Sequence, residues 1–141
     1  MRRCLIIANL TLGSEELSRA LRTRMNEGPC EFHVLVPAAP APLSGVHTDS
    51  EDHARAAERL EEVLESLRRI GATATGEVGD VRPFDAALDV LERDNDFDEV
   101  IVSTLPAAAS RWLRLDLVSK LHRNISIPVI HVQGEPAPAK A

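Results

Sequence analysis

The sequence predicts an α/β fold: a doubly wound, five-stranded parallel sheet of order 3-2-1-4-5 with helices on both faces. Two observations support it. Short apolar runs alternate with segments of helical periodicity along the whole chain. The strand runs are nearly unbroken in apolar character, as is typical of strands covered on both faces. Right-handed crossovers then restrict the topology.

The first two strands are predicted from Arg3 to Ala8 and from Glu31 to Val36. Between them, Ser14 is a suitable N-cap, and the acidic residues that follow favour the positive end of a helix. The apolar stripe of this helix is Leu17, Ala20, Leu21 and Met25.

The proline-rich stretch from Pro37 to Ser50 predicts a surface loop. The second helix follows and ends at Gly71. Its apolar stripe is Ala54, Ala57, Leu60, Leu64, Leu67 and Ile70. Its charged residues are expected on a solvated face, including Arg55, Arg59, Arg68 and Arg69.

The third strand is predicted from Thr73 to Val78, with Gly76 and Gly79 forming a turn at its end. Pro83 suits the first turn of the third helix. The stripe expected to be buried in that helix is Phe84, Ala87, Leu88 and Leu91.

The last elements are a strand from Phe97 to Thr104, a helix from Ser110 to about Asn124 and a strand from Ile127 to Val132. Leucines spaced four apart form the stripe of this helix, namely Leu113, Leu117 and Leu121. We expect one domain over residues 1–133 and a flexible tail over 134–141.

Composition excludes several classes of function. A net charge of −6 and a pI of about 5.3 argue against nucleic-acid binding, which needs a basic surface. No apolar run approaches the roughly 20 residues of a membrane helix, so we expect no membrane contact and a cytoplasmic protein. Cys4 and Cys30 are far apart in sequence and are expected to be buried thiols.

In open α/β sheets, ligands bind beyond the carboxyl ends of the strands where the strand order reverses. With the order 3-2-1-4-5, that point lies between the first and fourth strands. The residues from Asn9 to Thr11 are then expected to lie beside those from Ser103 to Ser110.

Three segments resemble the universal stress protein family: "GEVGDVRPFDAAL", "VIVSTLPAAASRWLRLDLVSKLHRN" and "IPVIHV". The resemblance covers nearly the whole chain. It implies the fold described above, which is also that of adenine-nucleotide-hydrolase-like proteins, and dimerisation through the last strand. It also implies ATP binding in some members but not in others.

Nucleotide-binding members carry Gly-x-x-Gly, about nine residues, and then Gly-Ser or Gly-Thr after the fourth strand. The matching positions fall near Ser103, Pro106 and Asp116, and none is a glycine. The aspartate that such members carry after the first strand is matched by Asn9. Without glycine, the backbone approaches phosphate less freely, and proline also removes an amide donor.

The candidate anion site is Ser110, Arg111 and Arg114, with hydroxyl donors from Ser103 and Thr104. The free amides of the helix start and a fork of two arginines suit a phosphate. In the alternative interpretation, Ser110 only caps the helix, and the arginines pair with surface carboxylates while Trp112 packs.

Metal binding and catalysis are not expected. The cluster of His47, Asp49, Asp52 and His53 has metal-ligand types but no recognised spacing, and it also suits a helix entrance. His131 is expected at an edge strand or dimer contact, without a serine–acid arrangement in sequence.

The sequence therefore predicts a non-catalytic module without a cofactor. It would act in stress adaptation through a small anionic ligand or a partner, and as a homodimer through the strand from Ile127 to Val132. The alternative is an ATP- or AMP-binding protein with a remodelled pocket. Asn9 and Val36 would then lie near the base, and Ser103, Thr104, Ser110 and Arg111 near phosphates. A nucleotide hydrolase is a weaker third class, because no general base stands out.

Overall fold

A computed structural model describes residues 1–38, 49–106, 112 and 116–134; the side chains of Asp49 and Ser50 lie outside this description. Strands and helices alternate along the described chain. They are β1 (Arg2–Ile7), α1 (Glu15–Glu27), β2 (Cys30–Pro37), α2 (Asp49–Arg69), β3 (Thr73–Gly79), α3 (Pro83–Arg93), β4 (Glu99–Thr104), α4 (Leu117–Asn124) and β5 (Val129–Gln133).

The five strands form one parallel sheet of order β3-β2-β1-β4-β5, which confirms the predicted topology. Two hydrophobic cores cover its faces. On one face, Ile6 and Phe32 pack with α1 and α2. On the other face, Leu5 and Val102 pack with α3 and α4. Adjacent residues of β1 thus point into different cores, as the alternation of strand side chains requires.

Helix α1 begins as the sequence predicts. Ser14 is extended, and its hydroxyl accepts a hydrogen bond of 3.2 Å from the backbone amide of Leu17. Glu15 and Glu16 occupy the first turn, where the helix dipole favours negative charge. Leu17 and Leu21 are buried, and Met25 packs partly against the same core.

The predicted stripes of α2 and α3 are each partly wrong. In α2, Ala56 is fully buried while Ile70 is 46% exposed, because the helix ends at Arg69 and Ile70 lies beyond it. In α3, the buried positions are Pro83, Ala86, Ala87 and Val90. Phe84 and Leu91 pack only at the margin of the core, because the buried stripe is centred one residue away from the predicted one.

The prediction of a turn at Gly76 and Gly79 is also wrong, because both lie in β3 opposite residues of β2. A Cβ on Gly76 would lie 2.5 Å from Leu60 Cδ1 and 2.7 Å from the carbonyl oxygen of Val34. Glycine is therefore required here by close packing of α2 on the sheet.

Several predicted segments fall outside the described residues. They include most of the proline-rich loop, at 39–48, and the region from 107 to 115 apart from Trp112. The predicted tail lies outside from residue 135 onward. Gly134, which we predicted to begin the tail, is buried, and its amide donates a 2.9 Å hydrogen bond to the carbonyl oxygen of Thr104.

The two edge strands differ in chemistry. On β3, Glu77 forms an ion pair with Arg93, and its carboxylate lies 3.6 Å from Nε2 of His33. On β5, Ile130 and Val132 are aliphatic and only partly covered by the core. The edge at β3 therefore carries charge, whereas the edge at β5 is apolar.

A buried ion pair lies at the amino end of β4. Arg24 of α1 donates to Glu99 at 2.5 Å, and the two side chains are 15% and 10% exposed. The thiol of Cys4 donates to the same carboxylate at 3.2 Å. Burial raises the pKa of the Cys4 thiol, and its hydrogen bond to Glu99 raises it further. Cys4 and Cys30 are both free and buried, as predicted.

Candidate functional site

The carboxyl ends of β1 and β4 lie side by side at the point where the strand order reverses. The residues that follow β1 include Asn9 and Thr11, and β4 ends in Ser103 and Thr104. All four side chains are buried, each 3% exposed or less. We call these four residues the crevice cluster.

Asn9 uses both polar atoms of its side chain. Its amide nitrogen donates to the carbonyl oxygen of Pro37 at 2.8 Å, and its amide oxygen accepts from Arg59 at 2.8 Å. Asn9 therefore connects the ends of β1 and β2 to α2. Buried polar groups are normally paired in this way, since an unpaired one is costly.

Arg59 was missed by sequence reasoning, which placed it on a solvated face. It is half-buried, and its guanidinium reaches across to the end of β1. Helical periodicity separates apolar from charged positions, but it does not show which charged side chain lies above a neighbouring strand end.

Two further hydrogen bonds join the rest of the crevice cluster. The hydroxyls of Thr11 and Ser103 are 2.6 Å apart, which links the β1–α1 loop to β4. The Thr104 hydroxyl lies 2.8 Å from Nε2 of His131, which links β4 to β5. To bind a ligand, the hydroxyl of Ser103 or Thr104 would have to give up its present hydrogen bond and form a new one with the ligand.

His131 is half-buried on β5, and burial lowers its pKa below the usual range. The ring is therefore favoured as the neutral imidazole near neutral pH, in which one nitrogen donates and the other accepts. No carboxylate contact with His131 is present among the residues the structure describes. The sequence prediction of an edge-strand position for His131 is confirmed.

The remaining predicted site residues divide into two groups. Val36 is fully buried in the core shared with α1 and α2. Ser110, Arg111 and Arg114 lie outside the described residues, so the arginine fork stays a prediction. Trp112 packs partly against the core beneath α3 and α4.

Asp116 and Leu117 lie near the position at which the sequence resemblance expects the late Gly-Ser pair. Asp116 has φ 57° and ψ 38°, a left-handed conformation, immediately before α4. Glycine adopts this conformation without strain. Asn and Asp adopt it occasionally, and the remaining residues rarely do. The backbone at Asp116 therefore has a conformation that favours glycine, although the residue there is an aspartate.

The cluster of His47, Asp49, Asp52 and His53 at the start of α2 is only partly described. Asp52 is 7% exposed and accepts from Arg55 at 3.1 Å, an ordinary contact within a helix. His53 is exposed, and His47 lies outside the described residues. Among the residues described, no three metal-ligating side chains come together.

The fold and the crevice cluster together define the class: a doubly wound α/β protein with a polar crevice at its switch point. No family model matches the sequence. No curated protein matches it either. In the described segments, no helix has the length and apolarity needed to cross a bilayer.

Several solved structures share this fold. A universal stress protein from Archaeoglobus fulgidus superposes with a TM-score of 0.60 at 21% identity, over 94% of this chain and 93% of that one. A universal stress protein family protein from Arabidopsis thaliana with AMP bound has a TM-score of 0.65 at 12% identity, over 96% and 93%. A universal stress protein in complex with cAMP has a TM-score of 0.60 at 16% identity, over 95% and 98%. The chain has the universal stress protein fold.

Proposed function

We propose that this chain is a universal stress protein module that acts without catalysis, by binding a small anionic ligand or a partner. One observation carries the proposal. The polar side chains of the crevice cluster are hydrogen-bonded to each other, to the main chain or to Arg59 and His131. None of the four is a carboxylate or imidazole that could serve as a general base, which hydrolysis of a phosphoanhydride requires.

A second candidate function is adenine-nucleotide binding. It is supported by two comparison structures, one of which holds AMP and the other cAMP. In this chain, Asn9 and Val36 would approach the base, whereas Ser103, Thr104, Ser110 and Arg111 would approach the phosphates, with Arg114 beside them. This arrangement needs both Asn9 and Val36 to become accessible to the base, because both are buried.

Thermal unfolding with added ligands separates the two candidates. If the chain is a module without a specific nucleotide site, inorganic phosphate, AMP and ATP should shift Tm equally or not at all. Under the second, AMP or ATP raises Tm with concentration, as expected when a ligand binds only the folded state. That shift would be lost in Arg111→Ala and kept in the control Arg19→Ala, since Arg19 is an exposed residue of α1 paired with Glu15.

Release of phosphate from ATP and magnesium tests the absence of catalysis. The expected rate equals that of buffer alone. A rate above buffer that is retained through purification and lost in Ser103→Ala would overturn the first proposal and favour a hydrolase.

We also propose that two copies pair through β5. The support is chemical: β5 is an edge strand with aliphatic residues, and an uncovered edge of this kind is an aggregation hazard. Ile130→Lys is expected to weaken dimerisation, measured as mass in solution against concentration. Thr75→Lys on the opposite edge strand is the matched control and should leave the mass unchanged. A dimer that persists in folded Ile130→Lys would exclude this interface.

A further inference from the structure

A groove of about 690 Å³ lies between α1 and α2. None of the four crevice-cluster residues lines it, and Arg59, which is hydrogen-bonded to Asn9, connects the two. Most of its lining is aliphatic, including Leu17, Leu21, Val63, Leu67 and Ile70. Ile70 is 46% exposed and extends this aliphatic lining to the surface.

Charge is concentrated at two arginines of this groove, Arg22 and Arg59. Arg22 is exposed, and within the described segments it has no carboxylate partner. The hydrogen bond of Arg59 goes to the neutral amide oxygen of Asn9. With Glu62 also in the lining, the groove carries two positive charges and one negative, on a protein whose net charge is −6.

We propose that this groove binds an anionic amphiphile with one aliphatic chain and a carboxylate head group. The volume lies within the roughly 300–1,000 Å³ of small-molecule sites, which combine apolar walls with a few placed polar groups. The aliphatic chain would lie against Val63 and Ile70, above the buried leucines, and the head group would pair with Arg22, with Arg59 as a second donor. The lining contains no aromatic ring on which a nucleobase could stack.

Dodecanoate below its micelle concentration is the probe, with calorimetry for affinity and methyl NMR for location. We expect saturable binding that shifts the methyl resonances of Leu17, Leu21 and Val63. Dodecanol, which lacks the charge, should bind more weakly. Arg22→Gln should reduce the affinity for dodecanoate about fivefold, the effect of losing one exposed charged hydrogen bond. The matched control is Arg19→Gln on the same helix, which lies outside the groove and should not change it.

A second variant tests the cavity itself. Ser66 is exposed and lines the groove, so Ser66→Trp fills the space without entering the core and should abolish binding. Equal affinity in Arg22→Gln and Arg19→Gln, or tighter binding of dodecyltrimethylammonium than of dodecanoate, would overturn the proposal. Loss of self-association in Ser66→Trp would also overturn the proposal, because it would show that a second copy covers the groove in the parent protein.

Discussion

The side-chain hydroxyls of Thr11 and Ser103 lie 2.6 Å apart in a buried position, and they join the loop after β1 to the end of β4. They belong to sequence positions 92 residues apart. The pair therefore spans the point where the strand order reverses, which is where open α/β sheets bind ligands.

Removing either hydroxyl should leave the other without this partner. We expect Thr11→Val and Ser103→Ala each to lower the free energy of unfolding by ~1–2 kcal/mol. The double variant should cost less than the sum of the two, with a coupling of about 1 kcal/mol, because it leaves no orphaned hydroxyl. Urea denaturation of the four proteins measures this cycle. Strict additivity would show that the two hydroxyls do not interact.

The buried pair of Arg24 and Glu99 should matter more. Burial alone raises the pKa of Glu99, but hydrogen bonds from Arg24 and Cys4 outweigh it, and the pKa is lowered overall. A carboxyl with a lowered pKa in the folded state contributes stability above its unfolded pKa of about 4.3, and this is lost as pH falls through the folded value. At pH 7, Arg24→Met should cost about 3 kcal/mol, because it strands a buried carboxylate.

The pH dependence distinguishes this explanation from lost packing. In Arg24→Met, the hydrogen bond from Arg24 that lowers the pKa of Glu99 is gone, and burial then raises that pKa. Protonation of Glu99 at low pH therefore removes the cost of the unpaired buried carboxylate. The difference from the parent protein in unfolding free energy should therefore shrink between pH 7 and pH 4. Arg19→Met breaks an exposed ion pair with Glu15 and should stay within about 0.5 kcal/mol at both values. A constant deficit in Arg24→Met would contradict the electrostatic account.

Gly76→Ala should destabilise the fold by ~1–3 kcal/mol through overpacking. The side chain of Leu60 can move away from the new methyl group, but the carbonyl oxygen of Val34, 2.7 Å from it, belongs to a strand of the sheet. Thr73→Ala in the same strand is the control, because Thr73 is exposed. Thermal or urea unfolding is the measurement, and equal stability of the two variants would disprove the close approach.

Asp116 offers a substitution that should be tolerated or beneficial. The left-handed backbone costs an ordinary residue about 1–2 kcal/mol, and less for aspartate. Asp116→Gly removes that strain, but it adds freedom to the unfolded chain and loses an exposed contact of 3.6 Å to Arg123. We expect a gain of about 0.5 kcal/mol for glycine and a loss of about 1 kcal/mol for Asp116→Val. Urea unfolding checks the order, and a valine variant as stable as the glycine variant would contradict it.

The sequence predicts the elements of this fold well because strands covered on both faces carry continuous apolar runs, as Cys4 to Ile7 do. It predicts the strand order because crossover handedness leaves few alternatives. It does less well where burial depends on how one element is rotated over another. In α3, Ala86 and Val90 are buried although Phe84 and Leu91 are larger, because the helix turns the face that carries Ala86 and Val90 toward the sheet.

The site is predicted by position but not by contact. The switch-point rule predicts Asn9 to Thr11 beside Ser103 to Ser110, and within the described residues the structure pairs Thr11 with Ser103. It gives no sign that Arg59, 50 residues away in sequence, binds the amide of Asn9. Long side chains reach partners that depend on the relative placement of helix and sheet, and a periodic pattern contains no information about that placement.

The unequal chemistry of β3 and β5 limits how the sheet can grow. Extension beyond β3 would bring the ion-paired Glu77 of two molecules together, and like charges at a strand edge oppose that pairing. Growth is thus restricted to the side of Ile130 and Val132. When an edge strand pairs with the same strand of a second copy about a two-fold axis, neither strand remains free to pair again. Under the proposed pairing of two copies through β5, the five strands of each chain would form a ten-stranded sheet that ends there instead of propagating into a fibre.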